Sequence, residues 1–206
     1  MEYIYKDDFE EIKKDFESLG EGYIERIQLM YSILKESDWA LVIKCHAILE
    51  SVVTELLLAH TDQSSLRDLI ERLPLSDEEI GKMKIAKDYD CIPRSQRSFV
   101  RSFSTLRNNL VHKVGNINFN FEDHVSTLNK EQKKNWSRSY SWWADDDDGE
   151  ENVWGQDSLK HPKIAVWLSV FFFMVTHSTD TLGTKTKNKM QKAMNRRARD
   201  LVESGI

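Results

Sequence analysis

Apolar residues recur at three-and-four spacing over most of the chain, and no sustained apolar–polar alternation marks a half-buried strand, so the pattern predicts an all-α fold. After Ser37 and Asp38, either of which can cap a helix, the residues Leu41, Val42, Cys45, Ile48, Leu49, Val52, Val53, Leu56 and Leu57 trace the buried stripe of a long central helix. Pro93 introduces a second strongly patterned helix over 94–112, which Gly115 is expected to end. At about 100° per residue, Phe99, Phe103, Leu106 and Leu110 form its narrow core stripe. Arg94, Arg97, Arg101, Ser104, Asn108 and His112 form a polar ridge opposite, and Arg107 lies on a flank read as exposed, beside Val100 and Val111. The most apolar run, 164–175, follows Pro162 in a first helical turn and is shorter than the roughly 20 residues a bilayer needs. It is expected to be a core helix stopped near Gly183, and no membrane partner is expected.

Weaker signals complete the chain. Helices over 7–19 and 23–35 are separated by Gly20-Glu21-Gly22, and a short one is expected over 65–72. Another, over 77–87, begins at the capping-box-like Ser76-Asp77-Glu78-Glu79. Residues 116–158 are polar and irregular apart from a helix near 123–134. They carry the acidic run 145–151 and read as an insertion or mobile loop. A basic helix over 185–203 closes the chain. With three prolines, no internal repeat and no Gly/Ser linker, residues 1–206 are read as one helical domain. Its core spans about 30–115 plus 160–182.

Charge narrows the functional classes. Lysine and arginine number 29 against 34 acids, a formal charge of −5, so any nucleic-acid contact has to be a local patch. Cys45 and Cys91 have no CxxC or Cys/His ligand spacing around them; both read as reduced packing residues, and neither metal nor cofactor is expected. The acids in the first seven residues do not suit a signal peptide, and a cytoplasmic location is expected.

The candidate chemistry lies in Arg107-Asn108-Asn109-Leu110-Val111-His112. A neutral histidine can take the proton of an RNA 2′-OH, while a fork-shaped, permanently charged arginine steadies the phosphate. Asn108 can orient either partner. On an ideal helix, residues five apart differ by about 140° in direction and about 7.5 Å in rise, so Arg107 and His112 do not share a face. They converge only if the last turn unwinds, if the arginine folds around Asn108, or if a second copy supplies its own pair to a shared cleft. Arg94, Arg97, Arg101 and Lys113 are candidate RNA-binding residues; the competing reading is a solvated basic face. His46 and Glu50, four apart, read as a structural pair, and His60, His124, His161 and His177 carry no partner pattern. Trp136, Trp142, Trp143 and Trp154 flank the acidic run, whose charge would repel phosphates, so loop anchoring or a protein contact is the better reading. The run can also attract the basic last helix and shield it from RNA.

Arg107-Asn108-x-x-x-His112 resembles the arginine-x4-6-histidine signature of the HEPN superfamily. Glu36-Ser37-Asp38-Trp39-Ala40 ahead of a long apolar helix, then Gly81-Lys82-Met83-Lys84-Ile85-Ala86, resembles the mannitol operon repressor-like branch, over about residues 30–115. The resemblance implies a helical homodimer in which two motif copies line one cleft. Many HEPN proteins are metal-independent endoribonucleases in toxin–antitoxin, anti-phage or RNA-processing systems. That implies Arg107 on the scissile phosphate, His112 as general acid/base, Asn108 in support, and an antitoxin or regulatory protein as partner. The alternative, which the repressor-like branch implies, is a catalytically silent regulatory interaction module.

Overall fold

A computed structural model describes residues 4–144 and 153–204. Its helices are α1 (Lys6–Leu34), α2 (Asp38–Thr61), α3 (Arg67–Arg72), α4 (Lys82–Asp88), α5 (Arg94–Val111), α6 (Phe121–Ser126), α7 (Lys130–Tyr140), α8 (Val153–Lys160) and α9 (Pro162–Glu203). Among the described residues there is no strand, and the fold is all-α.

Helix α2 is the hub. Its stripe from Leu41 to Leu57 is buried, with Ile48 half-buried at the edge, and it packs on α9 over the largest interface and on α1, α3, α4 and α5. Ser37, not Asp38, is its cap, accepting from the Ala40 N–H at 3.3 Å. Asp38 instead accepts from the Phe121 N–H at 2.8 Å and pairs with Lys163 at 3.0 Å, tying the start of α2 to α6 and α9. The apolar half of α9 is long enough by composition to cross a bilayer, but it packs on α2 and buries Ala165, Val166, Val170, Phe173 and Met174.

Both glycine breaks are overridden. Helix α1 runs unbroken through residues 20–22, and α9 passes Gly183 without a stop, merging the apolar and basic segments into 42 residues. The two lie antiparallel and bond along their length: Trp167 Nε1 to the Met30 carbonyl at 2.7 Å, Lys189 to Glu11 at 3.0 Å, and Tyr5 to Asp200 at 2.6 Å. Such packing outweighs the roughly 1 kcal/mol that a helical glycine costs. The basic end of α9 finds its acids here, since Lys185, Lys192 and Arg196 pair with Glu55, Asp62 and Asp8. The acidic run 145–151 lies outside the described residues, so its expected pairing with this helix does too.

Two other expectations shift. Asp77 Oδ1 accepts from the N–H groups of Glu79 and Ile80 at 2.8 and 2.9 Å, closing a turn, so α4 starts only at Lys82. Gly81 is its cap and is tightly held: a Cβ there would lie 2.5 Å from the carbonyl oxygens of Pro74 and Asp77. The stretch read as irregular after Asn116 is largely helical as well. Asn120 caps α6, and Asn129 and Gln132 form a reciprocal capping box on α7 with both bonds at 2.9 Å. Phe121, Val125, Trp136 and Tyr140 from this stretch enter the core.

His177 of α9 is buried against α5, bonded through Nε2 to Gln96 Oε1, with Nδ1 unpartnered; burial pushes its pKa down to about 4. The folded state therefore binds fewer protons than the unfolded chain between about 4 and 6.5, and stability falls as pH drops through that window. Urea titrations from pH 7 to 4 should show this slope, and it should flatten in His177→Leu. A second series checks the glycines. Gly22→Ala and Gly183→Ala, with open space around the added methyl, should each stabilise by about 0.5–1 kcal/mol, whereas Gly81→Ala should destabilise by about 1–3 kcal/mol.

Candidate functional site

Helix α5 is held in one rotation by Phe99, Phe103, Leu106 and Leu110, all buried, with Phe99 against Tyr140 and Phe173 at ring separations of 5.8 and 6.1 Å. The buried face is wider than the sequence stripe. Val100 is fully buried, not an exposed neighbour of Arg107, and Ser104 leaves the polar ridge to contact His46 Nε2 at 3.3 Å. The helix remains regular to Val111, and His112 follows with helical φ and ψ, so the last turn does not unwind. Its end is closed by Asn116, whose side-chain amide donates to the carbonyls of Asn109 and Leu110 at 2.9 and 3.4 Å. Gly115 instead sits within a short 3-10 turn, Val114–Asn118.

Arg107 is half-buried, and its guanidinium does fold toward Asn108: Nη1 donates to Asn108 Oδ1 at 3.1 Å. Its Nε is buried without a partner. Asn108 and His112, four residues apart, share the exposed side of the helix end. His112 makes no side-chain hydrogen bond or ion pair with any described residue. Arg107 and Asn108 are thus brought together in one chain, while His112 stands free one turn on.

His46 is the residue that sequence reasoning passed over. It does not pair with Glu50; it meets Ser104 on α5 and stacks near Phe103 at 6.5 Å. Burial, then the Arg107 charge, hold its pKa below the ordinary histidine value, with Glu50 opposing and Lys82 adding to the depression. Glu50 is engaged elsewhere: it binds Lys82, whose ammonium is 1% exposed, at 3.0 Å, while the Glu71 carbonyl lies 3.4 Å away. The charges of Arg107 and Lys82 thus both act on the half-buried His46. The spacing of His46 on α2 carried no sign of this, because the neighbour is set by the rotation of α5.

The predicted cationic track is not continuous. Arg101 is paired with Glu78, and Arg97 donates to the Ile92 carbonyl. Arg94 and Lys113 are exposed and make no ion pair with a described residue. The tryptophans anchor the fold: Trp136 donates to the Ser158 carbonyl, Trp142 packs on Phe99, and Trp143 lies against Phe172 and Trp154. Among the described residues no cluster of three or more His, Cys, Asp or Glu is arranged to hold a metal. Comparison with protein-family models, with curated proteins and with solved structures finds no match in any of the three.

Two measurements check this geometry. Arg107→Ala should raise the His46 pKa toward its ordinary value in an NMR titration, and an unchanged pKa would contradict their adjacency. Glu50→Gln, which leaves the buried Lys82 ammonium without its counter-charge, should destabilise by roughly 1.5–3 kcal/mol and by more than Lys82→Met.

Proposed function

We propose that this chain is a metal-independent endoribonuclease of the HEPN type that works as a homodimer. The observation that carries the reading is the Arg107 guanidinium bonded to Asn108, one helical turn from an exposed histidine that bonds to no described residue. Arginine can clamp two phosphate oxygens, while a solvent-facing imidazole is open to an incoming ribose hydroxyl. In the reaction His112 accepts the 2′-OH proton, O2′ attacks phosphorus, and the P–O5′ bond breaks. The leaving oxygen takes up a proton, giving a 2′,3′-cyclic phosphate and a 5′-OH. Arg107 stabilises the added negative charge, and Asn108 holds the guanidinium in place.

Arg107 and His112 leave α5 about 140° apart, so the second copy supplies the facing partner: Arg107 of one protomer serves His112 of the other. Val111 and Ile117, 37% and 58% exposed beside the motif, provide an apolar seat for that contact. Arg94 and Lys113, both unpaired, are the remaining candidates for backbone phosphate contacts. The toxin or anti-phage setting, with an antitoxin or regulatory partner, rests on the sequence resemblance alone, and a cytoplasmic location rests on the acidic first residues.

The purified protein should cleave single-stranded RNA in EDTA and leave the matching DNA intact. His112→Ala and Arg107→Ala should each lower the rate at least a hundredfold, about 3 kcal/mol of transition-state stabilisation, without changing the melting temperature by more than a few degrees. Cleavage by His112→Ala at the wild-type rate would sink the reading. No cleavage by the wild type would favour the silent regulatory dimer.

A further inference from the structure

A groove of about 330 Å³ runs between α5 and the α6–α7 pair, with Arg101, Thr105 and Asn109 on one wall and His124, Asn135 and Trp136 on the other. Its volume lies at the small end of ligand sites, where a single nucleoside fits. That second wall is aromatic: the rings of His124 and Trp136 lie 5.7 Å apart at 55° to each other, and burial lowers the His124 pKa. At the rim, the exposed side-chain amides of Asn109 and Asn135 hydrogen-bond to no described residue. Each carries donors and an acceptor, the complement of a base edge, and an aromatic ring in the lining can stack on a base.

The position of the groove gives this pocket a purpose. Thr105 and Asn109 precede His112 by seven and three residues. They therefore lie within about 20° and 60° of its direction on the helix, some 10 and 5 Å along the axis. Arg107 leaves the helix about 140° from His112 and about 160° from Thr105 and Asn109. A base in the groove thus hangs its ribose toward His112 and away from the buried side of α5.

We infer that this groove is a base-recognition pocket that holds the nucleotide on the 5′ side of the scissile phosphate, the one whose 2′-OH His112 deprotonates. The inference rests on the ribonuclease reading above and adds a source of sequence preference: the amides of Asn109 and Asn135 read the base edge.

The test uses the full-length protein and two readouts. In the first, adenosine, guanosine, cytidine and uridine are titrated while NMR follows the Asn109 and Asn135 side-chain amides and the Trp136 indole N–H. One nucleoside should shift all three, and Asn135→Trp, which fills the groove from an exposed position, should weaken its binding at least about tenfold. Asn109→Leu serves as a second variant with the same expectation. In the second readout, a randomised RNA is cleaved in EDTA and the base 5′ to each cut is counted. The wild type should favour the nucleoside that binds, and among the cuts that Asn135→Trp still makes that preference should be flattened. Cleavage without any nucleoside-induced shift overturns the pocket and leaves the ribonuclease reading standing. Nucleoside binding with an unchanged cleavage preference also overturns it, reducing the groove to a free-nucleoside site. Binding with no cleavage by the wild type overturns the ribonuclease reading and, with it, the placement of this base.

Discussion

Burial of Phe99, Phe103, Leu106 and Leu110 sets the rotation of α5, and every functional position on that helix follows from it. Each buried aromatic or leucine contributes roughly 1.5–3 kcal/mol, so turning the helix to bring Arg107 and His112 to one side would cost far more than any single polar contact returns. With the stripe fixed against α2, α7 and α9, Arg107 is left half-buried, with a charge that acts on His46. Asn108, Asn109 and His112 are left to solvent. The helix end then presents two chemically different sides: a cationic one backed by α2 and α4, and one with a free imidazole and an open groove.

The α2 side is built from charges that constrain one another. Lys82 is almost wholly buried and is matched by Glu50. Burial and then the charge of Arg107 lower the His46 pKa, with Glu50 opposing and Lys82 adding to the effect. Arg107, with one nitrogen unpartnered and Asn108 as its only side-chain acceptor among the described residues, is held without being neutralised by a carboxylate. An arginine kept free of acids is available to an external anion.

The patterned helices were legible because their apolar spacing and their burial coincide: the stripes of α2 and α5 and the Ser37 cap all follow from local chemistry. What was not legible depended on partners distant in sequence. Gly22 and Gly183 have the composition of breaks, but the long α1–α9 contact carries both helices through them. Residues 121–140 are polar in composition, and only their meeting with Phe99 and Ser158 makes Trp136 and Tyr140 core residues. The Asn129-x-x-Gln132 box did mark the start of α7 and was a usable local signal. In the candidate site the Arg107, Asn108 and His112 types were readable, along with their angular mismatch. The positions of Ser104 and His46 were not, since each depends on how far the buried face of α5 extends. The cationic ridge failed for a similar reason: Glu78, in the turn before α4, reaches Arg101 across a tertiary contact.

The regular helix end leaves the two-chain cleft as the central claim, because Arg107 reaches Asn108 while His112 faces outward. The direct measurement is RNA cleavage in EDTA by a refolded or co-expressed mixture of Arg107→Ala and His112→Ala protomers, each inactive alone. If the cleft pairs Arg107 of one chain with His112 of the other, half of the dimers formed at random are mixed and each has one intact cleft, so activity should return to about a quarter of the wild-type value. A mixture that stays as inactive as its two components would contradict a composite cleft.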